Sequence, residues 1–348
     1  MDSVLYIFAG KRKQDEQKYK DHLMPDTYLV GLNRLHEHGI RATYIENSVS
    51  ERLRKISFNF ANIPSLFSAK SFDIVFSGST PGLIFLNKFL MRNKNTKWVI
   101  YNTFLTNMLK RHSFGFKHWI LNKSIQGARA VINPSTPQRD FLVEQGYDPS
   151  RMHYLPYGID KGFIDRNLGK PRLIQKPYIM SAGKDMGRDY QTLIDSVRGM
   201  DIDLYIGASK RNFADVKNIP DNVHIDFIAP TDLVNYYEHA EFIVIPTFHE
   251  DHLDASDCSG QYVLLESMMA SKAVIASDRT TIYDYVTPNE NAILVEPENT
   301  EKLSNAMQDL LNNPDKAREL GRSARTKAEQ NFTSEQFSRN LADIFKKI

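Results

Sequence analysis

Residues 262–270 (Tyr-Val-Leu-Leu-Glu-Ser-Met-Met-Ala) are apolar on nearly every face of a helix, and they stand between two short apolar runs, 241–246 and 273–277. No other stretch limits the fold as much. A helix that is apolar all round must be buried, and short apolar runs bounded by breakers read as strands covered on both faces. Strand, loop, helix and strand in succession are the building unit of a parallel α/β sheet. In such sheets ligands bind beyond the carboxyl ends of the strands, where the helices begin. Residues 247–260 form a long loop at that place, and Ser259-Gly260 at its end can present backbone N–H groups to an anionic ligand.

The single charge of the apolar helix is Glu266, with no Lys or Arg three or four residues away. A buried carboxylate needs a partner, which must then come from another element or from a ligand rich in hydroxyl donors. An exposed helix end with a solvated Glu266 is the alternative that this stretch alone leaves open.

A chain of 348 residues holds two domains of ordinary size. No apolar run approaches the roughly eighteen residues of a membrane span, and the first strand starts at once without a signal sequence, so a cytosolic protein, soluble or peripheral, is expected. The lone Cys258 excludes an intrachain disulfide and fits a reducing compartment. Charge is unevenly spread. Residues 1–160 carry 22 Lys and Arg against 13 Asp and Glu, and residues 161–348 carry 22 against 29. The basic half points to an anionic partner such as a phospholipid surface or a lipid diphosphate, or else to a face that only confers solubility. No nucleic-acid recognition motif accompanies it.

In the first half, strands are expected at 3–9, 40–46, 72–76, 98–101, 130–133 and 152–156, with helices at 26–39, 51–70 and up to Gly146. Gly10 and Lys11 follow the first strand and lead into Arg12 and Lys13, a place where a ligand phosphate could approach the backbone, although no GxGxxG follows. Between Lys88 and Lys123 the cations Lys88, Arg92, Lys94, Lys97, Lys110, Arg111, Lys117 and Lys123 are interleaved with Phe104, Phe114, Phe116 and Trp119. Cations mixed with exposed aromatics suit a membrane surface. Gly115 interrupts a helix there, which favours exposure for Phe114 and Phe116, while Trp119 fits the core of an amphipathic helix.

Residues 161–176 show little periodicity and contain Gly162, Gly169 and Pro171, and the interdomain linker is placed there. The pattern then restarts with a strand at 178–182 and the turn Gly183-Lys184-Asp185-Met186-Gly187-Arg188 before a helix. Two cations in a glycine-bearing strand-to-helix turn can clamp a diphosphate. Further strands are expected at 204–207, 223–228 and 292–295, and helices at 191–198, 232–240, 301–311, 317–330 and 332–348.

Taken together, Leu155-Pro156-Tyr157-Gly158-Ile159-Asp160, Ser181-Ala182-Gly183-Lys184 with Arg188-Asp189-Tyr190, the run 240–246, Leu264-Leu265-Glu266-Ser267-Met268-Met269-Ala270 and Asn291-Ala292-Ile293-Leu294-Val295 resemble the retaining nucleotide-sugar glycosyltransferases of GT-B fold, family four. The resemblance implies an α/β chain of two Rossmann-like domains facing across a cleft: an acceptor-binding domain over 1–160, joined by a C-terminal helix at 333–348, and a donor domain over 161–332. It implies that Lys184 and Arg188 hold the donor diphosphate, that Glu266 accepts from the ribose hydroxyls, and that Ser259, Gly260, Gln261 and Tyr262 line the donor. Gly10 and Lys11 fall on the acceptor side. No metal or other cofactor is expected, the nucleoside-diphosphate sugar being a co-substrate, and the acceptor is expected to be a glycan or a lipid-linked glycan.

Two positions depart from the family pattern. Cys258, expected at the donor with Ser259 to Tyr262, stands where the family usually has a second glutamate that touches the donor sugar, a task left to Asp257 beside it or to the backbone around Ser259-Gly260-Gln261. Asn102-Thr103 follow the strand beyond which the family tends to carry a histidine. His112 is the candidate for that role. The acidic loop 249–254 reads as solvated or acceptor-facing, since His249, His252 and Cys258 lack zinc-site spacing. A catalytically silent nucleotide-binding subunit and a nucleotide-sugar epimerase or phosphorylase-like enzyme are the alternatives on the same architecture.

Overall fold

The computed structural model describes residues 2–8, 10–46, 52–53, 62–78, 81–91, 95–252 and 256–348. The chain divides into two compact units, one of residues 1–21, 26–156 and 334–348, the other of 22–25 and 157–333. As expected of an α/β chain of two Rossmann-like domains, each unit is a parallel sheet with helices.

In the first unit the described strands are β1 (Ser3–Ile7), β2 (Arg41–Tyr44), β3 (Ile74–Ser77), β4 (Lys97–Tyr101), β5 (Ala130–Asn133) and β6 (Met152–Tyr154), ordered β2-β1-β3-β4-β5-β6. Strands β1, β3 and β5 are buried along their length, and β4 from Trp98 onward, which is why they read as continuous apolar runs rather than alternating ones. Edge strand β2 is not, and its residues are exposed or half-buried throughout. Trp98, Val75, Ile100 and Val131 sit in one core with Ile84 and Ile125, and the Trp98 indole N–H donates to Asn87 Oδ1 at 2.9 Å. The last helix, Ser334–Lys347, belongs to this unit. Its Phe337, Leu341 and Phe345 are buried, with Phe345 edge-on to Phe76 at 5.6 Å and Phe337 edge-on to Tyr101 at 6.2 Å. Burying each such side chain contributes roughly 1.5–3 kcal/mol, enough to hold this helix on a sheet formed far earlier in the chain.

The second unit has β7 (Tyr178–Ala182), β8 (Asp203–Gly207), β9 (Val223–Asp226), β10 (Ile243–Ile245), β11 (Val274–Ser277) and β12 (Ile293–Val295), ordered β12-β11-β10-β7-β8-β9. The chain starts in the middle at β7, runs outward to β9, and returns to the other side of β7 at β10. That reversal opens a crevice at the carboxyl ends of β7 and β10, the place where doubly wound sheets bind ligands.

Three local expectations are corrected. Residues 26–39 form two 3-10 turns, Asp26–Leu29 and Leu35–His38, because Val30 and Gly31 both have positive φ and break any continuous helix. Residues 161–176 are not all linker: Lys161–Asn167 is a helix whose first turn is capped by Asp160 Oδ1, which accepts from the Phe163 N–H at 2.8 Å. Gly115 begins the helix Gly115–Gly127 instead of interrupting it. Of the helix expected at 51–70, residues 63–68 are helical, and 54–61 lie outside the described residues, as do Arg92, Lys94, Leu253 and Asp254.

Candidate functional site

The turn after β7 is built around a buried arginine. Arg188 has a side chain 2 % exposed, and its Nε donates to Asp185 Oδ2 at 2.9 Å. Burial alone would push this guanidinium down, but the charge of Asp185 raises it above its ordinary value. Burial would likewise raise the Asp185 carboxyl, and Arg188 reverses that and holds it low. Removing either partner would leave an unpaired buried charge. Gly183, at φ +143°, makes room for the pair, since a Cβ there would stand 2.3 Å from Arg188 Nε. Asp189 then caps the helix Tyr190–Ser196 by accepting from the Thr192 N–H at 3.1 Å. The turn is also zipped to the loop after β10. Arg188 bridges Thr247, the Phe248 N–H donates to Gly187 at 3.1 Å, and the Asp189 N–H donates to Pro246 at 3.2 Å.

The helix Gln261–Met269 is buried at every residue except Tyr262, as its composition requires. Gly260 leads into it in the left-handed region at φ +95°, where a Cβ would fall 2.8 Å from Ile245 and 3.4 Å from Arg188 Nη1. The helix start is thereby brought against the arginine. Glu266 is buried, so the solvated alternative is excluded. Its Oε2 accepts a long hydrogen bond, 3.4 Å, from the Tyr237 hydroxyl. Burial pushes the Glu266 carboxyl up to about 7, and the Tyr237 hydroxyl only partly opposes this.

The remaining expected donor residues fall in the same unit. Cys258 is buried and its N–H donates to Ser256 Oγ at 3.2 Å. Ser259, Gly260 and Gln261 line one pocket with Ile245, Thr247 and Arg279. Gln261 donates to Thr281 Oγ1 at 3.2 Å, and that hydroxyl donates to the Asp257 carbonyl at 2.8 Å. Tyr262 packs on Tyr157 at 4.4 Å. Lys184 is exposed, and its ammonium lies 4.0 Å over the Phe227 ring. Arg279 was not singled out by the sequence. It is 5 % exposed and lies just past the end of β11, before the turn Thr280–Ile282.

The first unit ends its strands differently. Asn102, after β4, is fully engaged: its amide donates to Asn133 Oδ1 at 2.8 Å and Thr106 Oγ1 at 2.9 Å, and its oxygen accepts from the Leu105 N–H at 3.0 Å. His112 lies further on, at the end of the helix Leu105–Arg111, with its carbonyl 2.8 Å from His118 Nδ1. A carbonyl only accepts, so that ring nitrogen carries the proton. Gly10 and Lys11 follow β1 in this unit. The aromatic residues of 104–119 are on the surface: Phe114 is 85 % exposed, Phe116 71 % and Trp119 45 %. Trp119 is therefore not core. It stacks on Phe116 at 5.8 Å and meets Phe85 edge-on at 5.1 Å, and Phe85 stacks on Phe89 at 5.5 Å.

Residues 208–327 match the family described as Glycosyl transferases group 1. No curated protein matches the sequence. Among solved structures, the chain is similar to HepE of Anabaena in complex with UDP-glucose, at 13% identity over 100% of both chains with a TM-score of 0.70. It is also similar to sucrose-phosphate synthase from Thermosynechococcus elongatus, at 16% identity over 99% of this chain and 98% of that one, TM-score 0.70. A glycosyltransferase from Rickettsia africae is 15% identical over 99% and 98%, with a TM-score of 0.63. At these identities the likeness is one of fold. The matched segment runs from the end of β8 through Glu266 and Arg279 into the helix Pro314–Asn331, so it takes in the β10 and β11 side of the crevice but not the turn after β7 with Lys184, Asp185 and Arg188, and the chain shares the GT-B fold of these solved structures.

Proposed function

We propose that the protein is a retaining, metal-independent glycosyltransferase that moves a sugar from a nucleoside diphosphate to a glycan or lipid-linked acceptor in the making of a cell-surface polymer. The observation that carries this reading is Glu266. It is a buried carboxylate with one long contact, inside the family-matched segment and on the helix that begins at the crevice. A ribose offers two vicinal hydroxyls, and a carboxylate has two oxygens to accept from them. Arg188, anchored by Asp185, and Lys184 on the same turn supply positive charge for the diphosphate. As the bond from the sugar C1 to the phosphate oxygen breaks, the leaving group gains charge, and these cations then bind it more strongly than in the ground state. The acceptor oxygen bonds to C1 on the same face while its proton passes to the departing phosphate oxygen, so no enzyme nucleophile is needed. HepE in complex with UDP-glucose supports a nucleotide-sugar donor.

The acceptor belongs to the first unit in this reading, on the side of Gly10 and Lys11, with His112 as its candidate catalytic residue. From residue 74 to residue 139 the sequence has ten Lys and Arg and no Asp or Glu. Exposed Phe114, Phe116 and Trp119 lie within that stretch, which suits an anionic leaflet in which each nearby cation contributes ~1 kcal/mol. A cytoplasmic protein held peripherally at a membrane fits these features. No helix among the described residues is long and apolar enough to cross one.

The test is a thermal-shift panel of UDP, GDP and ADP on wild type and Glu266→Ala. A nucleotide at a hundred times its Kd stabilises by roughly 2.7 kcal/mol. Stabilisation of wild type and none of Glu266→Ala is the expected result. An equal response of both proteins rules out Glu266 as the ribose residue, and release of nucleoside diphosphate without any acceptor would favour a hydrolytic or epimerase-like reaction.

A further inference from the structure

The loops after β7, β8 and β9 meet at one edge of the second unit's sheet. Arg211 Nη2 donates to the Lys184 carbonyl at 2.7 Å, Asn212 Nδ2 donates to the Asp185 carbonyl at 3.0 Å, and the Gly183 N–H donates to the Gly207 carbonyl at 3.0 Å. These bonds pin the backbone of Lys184 but not its four-carbon side chain. That side chain reaches to the first residue after β9, where its ammonium stands 4.0 Å over the Phe227 ring. Phe227 is fixed in turn. The Ala208 N–H donates to the Asp226 carbonyl at 3.1 Å, and the Phe227 N–H donates to Asp226 Oδ1 at 2.7 Å. At 63 % exposure the ring adds little to the core, so its role lies in what stands on it.

The two cations of the turn after β7 are held by different means. Asp185 holds Arg188 with an opposite charge, which fixes the guanidinium and in part neutralises it. Phe227 holds Lys184 with the negative face of a ring, and this attraction leaves the cation's charge whole. Partial burial lowers the Lys184 ammonium below its ordinary value, and no carboxylate among the described residues offsets that. The N–H groups turned away from the ring remain to donate to an anion. A lysine side chain gives up rotamer freedom when a ligand fixes it, and a ring that already confines it reduces the loss. Arg188 lies on the β10 side, paired with Thr247 and close against Gly260, while Lys184 leans to the β9 side. The pair brackets the end of β7.

We infer that Phe227 is a positioning residue: it holds the Lys184 ammonium ready for the donor diphosphate and keeps contact with it when the ligand is bound. This rests on the donor reading above, in which Lys184 meets the diphosphate. The test is a double-mutant cycle read by calorimetry with UDP, GDP and ADP. The proteins are wild type, Lys184→Gln, Phe227→Leu, Phe227→Tyr and the double variant Lys184→Gln with Phe227→Leu. Lys184→Gln should weaken nucleotide binding by about tenfold or more, as loss of a charge-assisted hydrogen bond implies. Phe227→Leu should weaken it by about threefold to fivefold, the size of an exposed cation–π contact. Phe227→Tyr keeps the ring and should bind as wild type does. In the Lys184→Gln background, Phe227→Leu should have no further effect. Unchanged binding by Phe227→Leu overturns the inference and leaves the donor reading standing. Tighter binding does the same, because the ring would then withhold Lys184 from the ligand. So does a loss that persists undiminished in the Lys184→Gln background, because the ring would then touch the nucleotide itself. If wild type binds none of the three nucleotides, or Lys184→Gln binds them as wild type does, the assignment of Lys184 to the diphosphate falls and the inference falls with it.

Discussion

The two units share one architecture and use it in opposite ways. In the second, buried charges converge where strands end: Arg188 with Asp185 after β7, Arg279 after β11, and Glu266 on the helix led in by Gly260. In the first, the corresponding place after β4 and β5 is filled by neutral amides, Asn102 and Asn133, that satisfy one another. The cations of the first unit's acid-free stretch are spread along the sequence beside exposed aromatics. A desolvated charge is unfavourable for the apo fold and valuable to a ligand. Surface charge leaves stability nearly untouched and acts on whatever approaches. In the function proposed above, the difference gives selective small-ligand recognition to one unit and broad surface attraction to the other.

The largest effect that can break this comparison is a pH dependence. The Glu266 carboxyl is raised from its usual 4.5 to about 7 in the folded protein, so the folded state binds the extra proton between those values. Its contribution is present below about 4.5, lost as pH rises through about 7, and on the order of 3 kcal/mol at full extent. Glu266→Gln should therefore raise the apo melting temperature above pH 7, flatten its fall between pH 5 and 8, and still weaken nucleotide binding. A variant that loses both stability and binding would make Glu266 a structural residue.

Next comes Gly183→Ala. Its Cβ would meet Arg188 Nε at 2.3 Å on a backbone with φ +143°, and displacing the arginine should cost roughly 1–3 kcal/mol. Nucleotide-dependent stabilisation should disappear with it, and a variant that keeps a full nucleotide shift would remove Arg188 from the site. Asn102→Ala sharpens the contrast from the other unit. It removes the acceptor of the Leu105 N–H and leaves Asn133 Oδ1 short of a donor, at about 1–2 kcal/mol, yet nucleotide affinity by calorimetry should not change.

The smallest effect on stability should come from the surface. Phe114→Ser with Phe116→Ser should move stability by less than about 0.5 kcal/mol. The same variant should lose sedimentation with liposomes containing anionic lipid, as should Lys117→Glu with Lys123→Glu. Equal sedimentation of wild type and both variants would end the membrane reading.

Much of this contrast is legible in the residues. Apolar runs bounded by breakers locate the second unit's strands to within a residue or two, and the helix with a single Glu announces its own burial. Arg279 is not legible, because an arginine two residues past a strand looks like any solvated loop cation until the sheet turns it inward. The available clue was its place at the same strand ends as the Gly260-led helix. Trp119 departs from the core position expected of a large aromatic, because it is covered by exposed Phe116 and half-buried Phe85 at the surface. The helix Lys161–Asn167 is too short to show a period, although Asp160 three residues ahead of Phe163 is a readable cap.

The zipper between the turn after β7 and the loop after β10 constrains the lengths of both. Gly187, Arg188 and Asp189 are tied by backbone pairing to Pro246, Thr247 and Phe248, so the two segments are held in one register. Because the pairing is main-chain, the residues of either segment can be exchanged for a relative's without breaking it, whereas an insertion or deletion in one segment shifts the other, so a change of length at 187–189 or 246–248 should displace Arg188.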